Sequence, residues 1–234
     1  MPRIICRGLL IDMDGVLVDS TAAIARVWAR WAARYNMDPI YVTAFAHGRT
    51  SRASIKDLLP NVGSEVHDEE DRWMLRGELE DVADVVALPG ARELLATVPT
   101  AQRVVVTSAA RNLAEVRLRA AGVWDLVHHL VTSSDIQNGK PHPEPYLKGA
   151  AALQLPTADC VVIEDAASGT RAGKAAGARV LAIRTTSTDQ ELLAAGADWI
   201  ANDCASLRCT VAPGSGRLTL EFPANEISRL PKMS

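Results

Sequence analysis

An excess of positive charge is lacking in this sequence of 234 residues, which has 25 Lys and Arg against 28 Asp and Glu and a formal net charge of −3. A protein that holds a nucleic acid backbone needs a basic surface, and this composition does not provide one. We therefore expect small molecules, and not nucleic acid, as the partners of this protein.

Paired cysteines and long apolar runs are also lacking. The four cysteines show no CxxC spacing, and we expect free thiols in a reducing compartment. No apolar stretch is long enough to span a bilayer, and the N-terminus has no charged region followed by an apolar signal core. These absences predict a cytoplasmic protein that is neither processed nor bound to a membrane.

The sequence does contain a regular alternation of short apolar runs and amphipathic or Ala-rich stretches. The runs begin near residues 8, 103, 128, 160, 179 and 197. Apolar strands connected by helices are typical of a parallel sheet buried on both faces. The pattern predicts an α/β fold whose core is a doubly wound, Rossmann-like parallel sheet.

Roughly 90 residues separate the first two predicted strands, far more than one crossover helix needs. They contain several helical patterns and no convincing strand. The clearest pattern is an apolar stripe at spacings of three and four, formed by Ile24, Val27, Trp28, Trp31 and Tyr35. We expect an inserted α-helical cap domain over residues 19–86, and a core domain over residues 1–18 and 87–234.

Acidic residues follow two of the predicted strands. The stretch "LLIDMDGVLVDS" places Asp12 and Asp14 behind the first strand, and "VVIED" ends the fourth with Glu164 and Asp165. The carboxyl ends of parallel strands meet at one edge, where doubly wound sheets bind ligands. Clustered carboxylates favour a hard cation with oxygen ligands, so we predict a Mg²⁺ site that also holds a phosphate.

A phosphoryl group in an acidic neighbourhood also needs a positive charge and hydrogen-bond donors. Lys140 is the candidate cation, because prolines at positions 141, 143 and 145 stiffen its loop. Thr107 and Ser108 end the second strand before a helix and can offer a hydroxyl and backbone N–H groups to phosphate oxygens. Without a site, all three would be ordinary turn residues.

Together these motifs resemble the haloacid dehalogenase superfamily of phosphotransferases. Its DxD, Ser or Thr, Lys and acidic-pair motifs are matched in order by Asp12-Met13-Asp14, Thr107-Ser108, Lys140 and Glu164-Asp165. The match runs from about residue 8 to about residue 200, and the helical insertion resembles the family's cap. The segments "HGRTSRASIKDLLP" and "VVALPGA" are most similar to phosphatases of small sugar and polyol phosphates, such as those of 2-deoxyglucose 6-phosphate and glycerol phosphate.

The resemblance implies a Mg²⁺-dependent phosphatase that works through an aspartyl-phosphate. Asp12 is then the nucleophile and Asp14 the general acid and base. The metal would be held by Asp12, the Asp14 backbone carbonyl and Asp165, with Glu164 either a ligand or directly behind the ligands. Lys140, with Thr107 or Ser108, would hold the phosphoryl oxygens.

The cap segment supplies further candidates for substrate binding. His47 and Arg49 flank a glycine that permits close approach to a ligand, and we expect both to bind the substrate. Trp73 and Arg76 are candidates for the same cleft.

Several alternatives stay open at this point. β-Phosphoglucomutase shares every core motif, and the core motifs do not decide whether water or a second sugar hydroxyl accepts the phosphoryl group. Dehalogenases and phosphonate-cleaving relatives lack the second aspartate, so Asp14 argues against both. Response-regulator receiver domains use a similar acidic cluster, but they carry their acceptor aspartate on a later strand and have no helical insertion. The exact substrate, the oligomeric state and the role of the C-terminal tail are left undetermined.

Overall fold

The fold is described by a computed structural model that covers residues 2–212, 214 and 216–223. The strands in this part of the chain are β1 (Arg3–Cys6), β2 (Gly8–Ile11), β3 (Val18–Asp19), β4 (Val86–Ala87), β5 (Arg103–Val106), β6 (Leu130–Val131), β7 (Cys160–Glu164), β8 (Arg179–Ile183), β9 (Trp199–Ala201), β10 (Arg208–Ala212) and β11 (Arg217–Glu221). The helices are α1 (Thr21–Arg34), α2 (Pro39–Ala46), α3 (Ser51–Leu58), α4 (Ser64–Glu80), α5 (Ala91–Thr97), α6 (Arg111–Ala120), α7 (Glu144–Ala152), α8 (Ala167–Ala175) and α9 (Asp189–Ala194). Residues of the expected core range that lie beyond 223 are outside the described residues.

The central sheet has six strands in the order β6-β5-β2-β7-β8-β9. Every neighbouring pair in it is parallel. In chain order this is 3-2-1-4-5-6, so the direction of winding changes at β2, between β5 and β7. The predicted doubly wound α/β fold is confirmed, including all six predicted strands.

Both faces of this sheet are covered, as its continuous apolar strands require. Leu9 and Ile11 of β2 point into one hydrophobic cluster, which includes residues of α5 and α6. Leu10, between them, points into a second cluster with residues of α7 and α8. Successive side chains alternate across the strand, so the two clusters lie on opposite faces.

The insertion consists of α1 to α4 packed around a hydrophobic cluster of its own. The predicted apolar stripe of α1 lies in it: Val27, Trp28 and Trp31 are buried, and Ile24 and Tyr35 pack against them. The expectation of no strand here was wrong, because β3 and β4 pair antiparallel at the base of the insertion. Two-residue strands are too short to show an alternating pattern in a sequence. The domain boundaries themselves stay a prediction.

The C-terminal tail completes a small second sheet. β10 and β11 form a hairpin, and β11 also pairs antiparallel with β1. Leu218, Leu220 and Phe222 are 0% exposed and join the cluster that contains Leu9 and Ile11. The tail is therefore part of the main core. Among the described helices, none combines the length and apolarity that crossing a bilayer requires.

Candidate active site

Asp12 and Asp14 follow β2, where the sheet changes its direction of winding. The Asp12 backbone N–H donates to the Ile163 carbonyl of β7 at 2.9 Å, which fixes its position against the neighbouring strand. Gly15 then turns the chain with a φ of +82°, and a Cβ there would lie 1.8 Å from Asp165 Oδ2. Only glycine allows this turn to pass so close to the second acidic segment.

Lys140 is the buried cation of the site, with 3% of its surface exposed. Its Nζ donates to Asp12 Oδ1 and, at 2.7 Å, to Glu164 Oε1. Burial acts to lower the pKa of Lys140, but the two carboxylates outweigh burial and raise it above its usual range. The lysine is therefore held in its charged form beside the nucleophile candidate.

Glu164 is fully occupied by donors from the protein. Its Oε1 accepts from Lys140 Nζ and from the Tyr146 hydroxyl at 2.8 Å. Its Oε2 accepts from the backbone N–H groups of Asp165 and Ala166, both at 2.9 Å. A carboxylate with four donors is a rigid anchor, so Glu164 positions Lys140.

The acidic residues fit a metal ion by their donor chemistry. Carboxylate oxygens of Asp12, Glu164 and Asp165 lie within 4.8 Å of one another, and all three residues are buried. Burial raises the pKa of Asp12 well above its usual range; Lys140 opposes that shift, and the two neighbouring carboxylates add to it. Burial likewise raises the pKa of Asp165. Crowded anionic oxygens of this kind suit a hard divalent cation such as Mg²⁺.

Thr107 and Ser108 follow β5 on the other side of Asp12. Thr107 is 2% exposed, and its Oγ1 accepts from the Ala109 backbone N–H at 3.0 Å. Ser108 is half-buried, and its hydroxyl lies 3.4 Å from the Gly48 carbonyl oxygen, at the limit of a hydrogen bond. The two neighbouring hydroxyls thus differ in their contacts: that of Thr107 is bound within its own turn, whereas that of Ser108 has only a long contact.

Asp14 is held by two residues that the sequence analysis missed. Its Oδ1 accepts from the Ser20 hydroxyl at 2.5 Å and from Arg117 Nη1 at 3.1 Å. Arg117 lies on α6, is 3% exposed, and donates through Nη2 to Glu78 of α4 at 3.3 Å. The available signal was an arginine on the face of α6 where an apolar residue is expected, next to buried Leu113.

The loop between α2 and α3 brings His47 and Arg49 to the candidate active site. His47 Nε2 lies 3.7 Å from Asp165 Oδ2. Burial acts against protonation of this ring, but Asp165 and other nearby carboxylates raise the pKa of His47. Arg49 pairs with Asp57 at 2.5 Å, and its guanidinium lies 4.6 Å from the centre of the Phe45 ring.

Gly48, between them, borders the open space of the site and also packs closely against the core. Its φ is +69°, and a Cβ there would come within 2.6 Å of both Ala166 Cβ and Ser168 Oγ. Its carbonyl accepts from the Ser168 hydroxyl at 2.9 Å. The close approach that glycine permits at this position is therefore between the insertion and the core.

One cavity of about 400 Å³ lies between the core and the insertion. Seven of the predicted site residues line it: Asp12, Asp14, His47, Arg49, Thr107, Ser108 and Lys140. Glu164 and Asp165 lie behind its wall in contact with them. Trp73 and Arg76 were wrongly assigned to this cleft, because they line a separate surface depression with Arg30 and Asp81.

Comparison with known proteins agrees with this geometry. Residues 6–177 match the family of haloacid dehalogenase-like hydrolases. Hexitol phosphatase A of Escherichia coli is 37% identical to this chain over 183 residues, which cover 76% of the chain and 83% of that protein. Glycerol-1-phosphate phosphohydrolase 1 of Saccharomyces cerevisiae is 32% identical over 85% of the chain and 83% of its own length.

Solved structures share the fold. A hydrolase from Pseudomonas syringae superposes with a TM-score of 0.78 at 24% identity, covering 85% of this chain and 94% of that one. A Thermotoga maritima protein assigned as a β-phosphoglucomutase has a TM-score of 0.59 at 26% identity, covering 83% and 94%. The resemblance found in the sequence is confirmed.

Proposed function

The chain belongs to the haloacid dehalogenase-like hydrolases, and from this premise we propose that it is a Mg²⁺-dependent phosphatase of small sugar or polyol monophosphates. The observation that carries the proposal is the convergence of Asp12, Asp14, Lys140 and Ser108 on one cavity of about 400 Å³. The similarity to hexitol and glycerol phosphate phosphatases supports the substrate class.

The geometry supports a reaction in two displacements. An Asp12 carboxylate oxygen attacks phosphorus, and the bond from phosphorus to the leaving oxygen breaks while Asp14 gives that oxygen its proton. Water then loses a proton to the Asp14 carboxylate and attacks the aspartyl-phosphate. Inorganic phosphate leaves, and both aspartates return to their starting states.

The charges around Asp12 are arranged for phosphoryl transfer. Lys140 stays charged beside Asp12, and the Ser108 hydroxyl borders the same space, so both are placed to hold equatorial phosphoryl oxygens. Asp12, Asp165 and the Asp14 backbone carbonyl would hold Mg²⁺, which when bound offsets the negative charge of the phosphoryl group. Glu164, with four protein donors, is assigned behind the ligands.

The cavity favours a neutral leaving group with hydroxyls over a second phosphate. Each arginine that lines it is paired with carboxylates: Arg49 with Asp57, Arg52 with Asp68, and Arg117 with Asp14 and Glu78. A second phosphate would have to displace one of these pairs. Asp71 and Glu78 also line the cavity and can accept hydrogen bonds from substrate hydroxyls. This arrangement favours a phosphatase of monophosphates over a mutase that handles bisphosphates.

Phosphate release from a panel of sugar, polyol and nucleotide monophosphates tests the proposal. We expect the highest kcat/KM for a sugar or polyol monophosphate, loss of activity in chelator, and recovery with Mg²⁺ but not with Ca²⁺, whose looser shell misplaces the nucleophile. Asp12→Asn should be inactive with an unchanged circular dichroism spectrum. Full activity in chelator would exclude the metal, and turnover by folded Asp12→Asn would exclude the covalent step.

Two further measurements separate the parts of the proposal. Mg²⁺ should raise the Tm of the wild type and not that of Asp165→Asn, which reports metal binding without reference to activity. With β-glucose 1-phosphate and a trace of the 1,6-bisphosphate, phosphate should accumulate. Formation of glucose 6-phosphate faster than phosphate would identify a mutase instead.

The cysteines support a proposal on location. Cys6, Cys160 and Cys204 are buried free thiols, and Cys209 is a free thiol that is half-buried. Burial raises the pKa of Cys160 to about 11, which keeps it protonated and unreactive. We place the enzyme in the reducing cytoplasm, where its partners are small phosphorylated metabolites. Fractionation of cells with an antibody to the protein is the test.

A further inference from the structure

Arg117 connects the acid–base candidate of the core to a helix of the insertion. Its two terminal nitrogens donate to two different carboxylates, Nη1 to Asp14 Oδ1 at 3.1 Å and Nη2 to Glu78 Oε1 at 3.3 Å. Asp14 follows β2, Arg117 lies on α6, and Glu78 lies on α4 of the insertion. All three residues line the cavity of the site.

The charged groups of this pairing are buried, and burial limits the positions that they can take. Arg117 is 3% exposed and Glu78 is 8% exposed, so each charge is compensated mainly by its partner and little by solvent. A guanidinium presents its donors in a planar fork, so the direction of one hydrogen bond limits the direction of the other. The place of Glu78 therefore influences where Arg117 can hold the Asp14 carboxylate.

We propose that Arg117 is a positioning residue for Asp14, and that Glu78 makes the position of Arg117 depend on how helix α4 packs against the core. This inference rests on the proposed function of Asp14 as the group that protonates the leaving oxygen and then accepts a proton from water. The Asp14 carboxylate has Ser20, the residue before α1, as a second partner at 2.5 Å. Arg117 adds a restriction that depends on α4, through its contact with Glu78.

The chemistry of Asp14 predicts a kinetic signature for loss of this positioning. p-Nitrophenolate leaves readily without a proton, so the first displacement of p-nitrophenyl phosphate should stay fast in Arg117→Gln. Cleavage of the aspartyl-phosphate by water still needs Asp14 and should become slow. We expect a burst of about one p-nitrophenol per active site followed by a kcat reduced about ten- to a hundredfold, with a KM that does not rise.

A double-mutant cycle with Asp14→Asn shows whether Arg117 acts through Asp14. In the Asp14→Asn background, Arg117→Gln should change the residual kcat by less than about threefold, because the group that it positions is already lost. Glu78→Gln should reproduce the burst in weaker form. Arg117→Lys retains the charge but lacks the fork, so we expect partial recovery of kcat.

The matched control is Arg119→Gln on the same helix. Arg119 pairs with Glu115 at the surface, with more than half of its side chain exposed, and its loss should leave kcat within about twofold of the wild type. If Arg117→Gln does not fold, Arg117→Lys and Glu78→Gln carry the same test.

Each outcome decides between the two proposals. Additive losses in the cycle, or a raised KM without a burst, would overturn the positioning role while leaving the phosphatase in place. A wild type that releases phosphate from neither p-nitrophenyl phosphate nor the metabolite panel would overturn the proposed function and this inference together.

Discussion

At the scale of single residues, the two neighbouring hydroxyls show how position and not residue type assigns a role. The Thr107 oxygen accepts the Ala109 backbone N–H, which would otherwise lack this partner in a partly buried turn. Ser108 is half-buried on the cavity wall and has only a long contact with the Gly48 carbonyl. We infer that Ser108 offers its hydroxyl to the phosphoryl group and that Thr107 stabilises the turn after β5.

Substitutions of these two residues should separate activity from stability. Ser108→Ala removes a hydrogen bond to a charged group, worth about 1.5–3 kcal/mol, so kcat/KM should fall about ten- to a hundredfold. Its urea midpoint should stay near that of the wild type. Thr107→Val should instead lower the free energy of unfolding by about 1–3 kcal/mol, because the Ala109 N–H loses its acceptor. The opposite pattern would assign the phosphate to Thr107.

At the scale of elements, the end of β7 and the start of α8 are shaped around the Glu164 carboxylate. Glu164 accepts from Lys140, from Tyr146 of α7 and from the backbone of the turn at Asp165 and Ala166, so three segments depend on its position. Gly169 in the first turns of α8 lies directly below it. A Cβ at position 169 would be 1.5 Å from Glu164 Oε1 and 2.0 Å from its Cδ, so the helix can pass here only with a glycine.

Gly169→Ala should therefore act on the site through Glu164. The added methyl group forces the carboxylate aside, and Lys140 loses the partner that places it beside Asp12. A displacement of this order should lower kcat about a hundredfold, and the Tm should fall despite alanine's better helix propensity. Gly63→Ala is the matched control, since a Cβ there meets nothing within 4 Å. Wild-type kcat in Gly169→Ala would show that Glu164 is not the anchor.

At the scale of the whole molecule, the first and last strands of the described chain pair with each other and complete the core. β11 pairs with β1 over four residues, so the tail is held beside the first strand that enters the fold. Phe222 and its neighbours on β11 pack into the cluster beneath the central sheet, on the face that carries Leu9 and Ile11. The tail lies outside the region that resembles the family, and its role here is structural.

Phe222→Ala should destabilise the protein without affecting its chemistry. Removing a fully buried phenyl ring costs about 3–5 kcal/mol of unfolding free energy, which equilibrium unfolding in urea measures. The kcat per folded molecule should stay within about twofold, because the ring does not line the cavity. Val211→Ala on the mostly exposed β10 is the control and should cost less than about 1 kcal/mol. A large loss of kcat in folded Phe222→Ala would connect the tail to the site.

The sequence by itself determined the sheet and the edge at which the site forms. Apolar runs of strand length mark β2, β5 and β7, and parallel strands present their carboxyl ends on one side. The residues that follow those runs, Asp12, Thr107 and Asp165, must therefore meet. The helical insertion could also be predicted from the sequence, because α1 repeats its apolar residues at helical spacing. These features depend on residues that are close together in the sequence, so the periodicity of the sequence predicts them.

Only the tertiary structure decided which side chains restrain the site. The pair of Arg117 with Asp14 joins residues 103 positions apart, and the pair of Arg117 with Glu78 joins residues 39 positions apart. No periodicity in either segment specifies such a partner, because a buried charge on a helix face has many carboxylates available in the sequence. The choice is made when α4, α6 and the loop after β2 pack together, and burial then limits water as a competing partner.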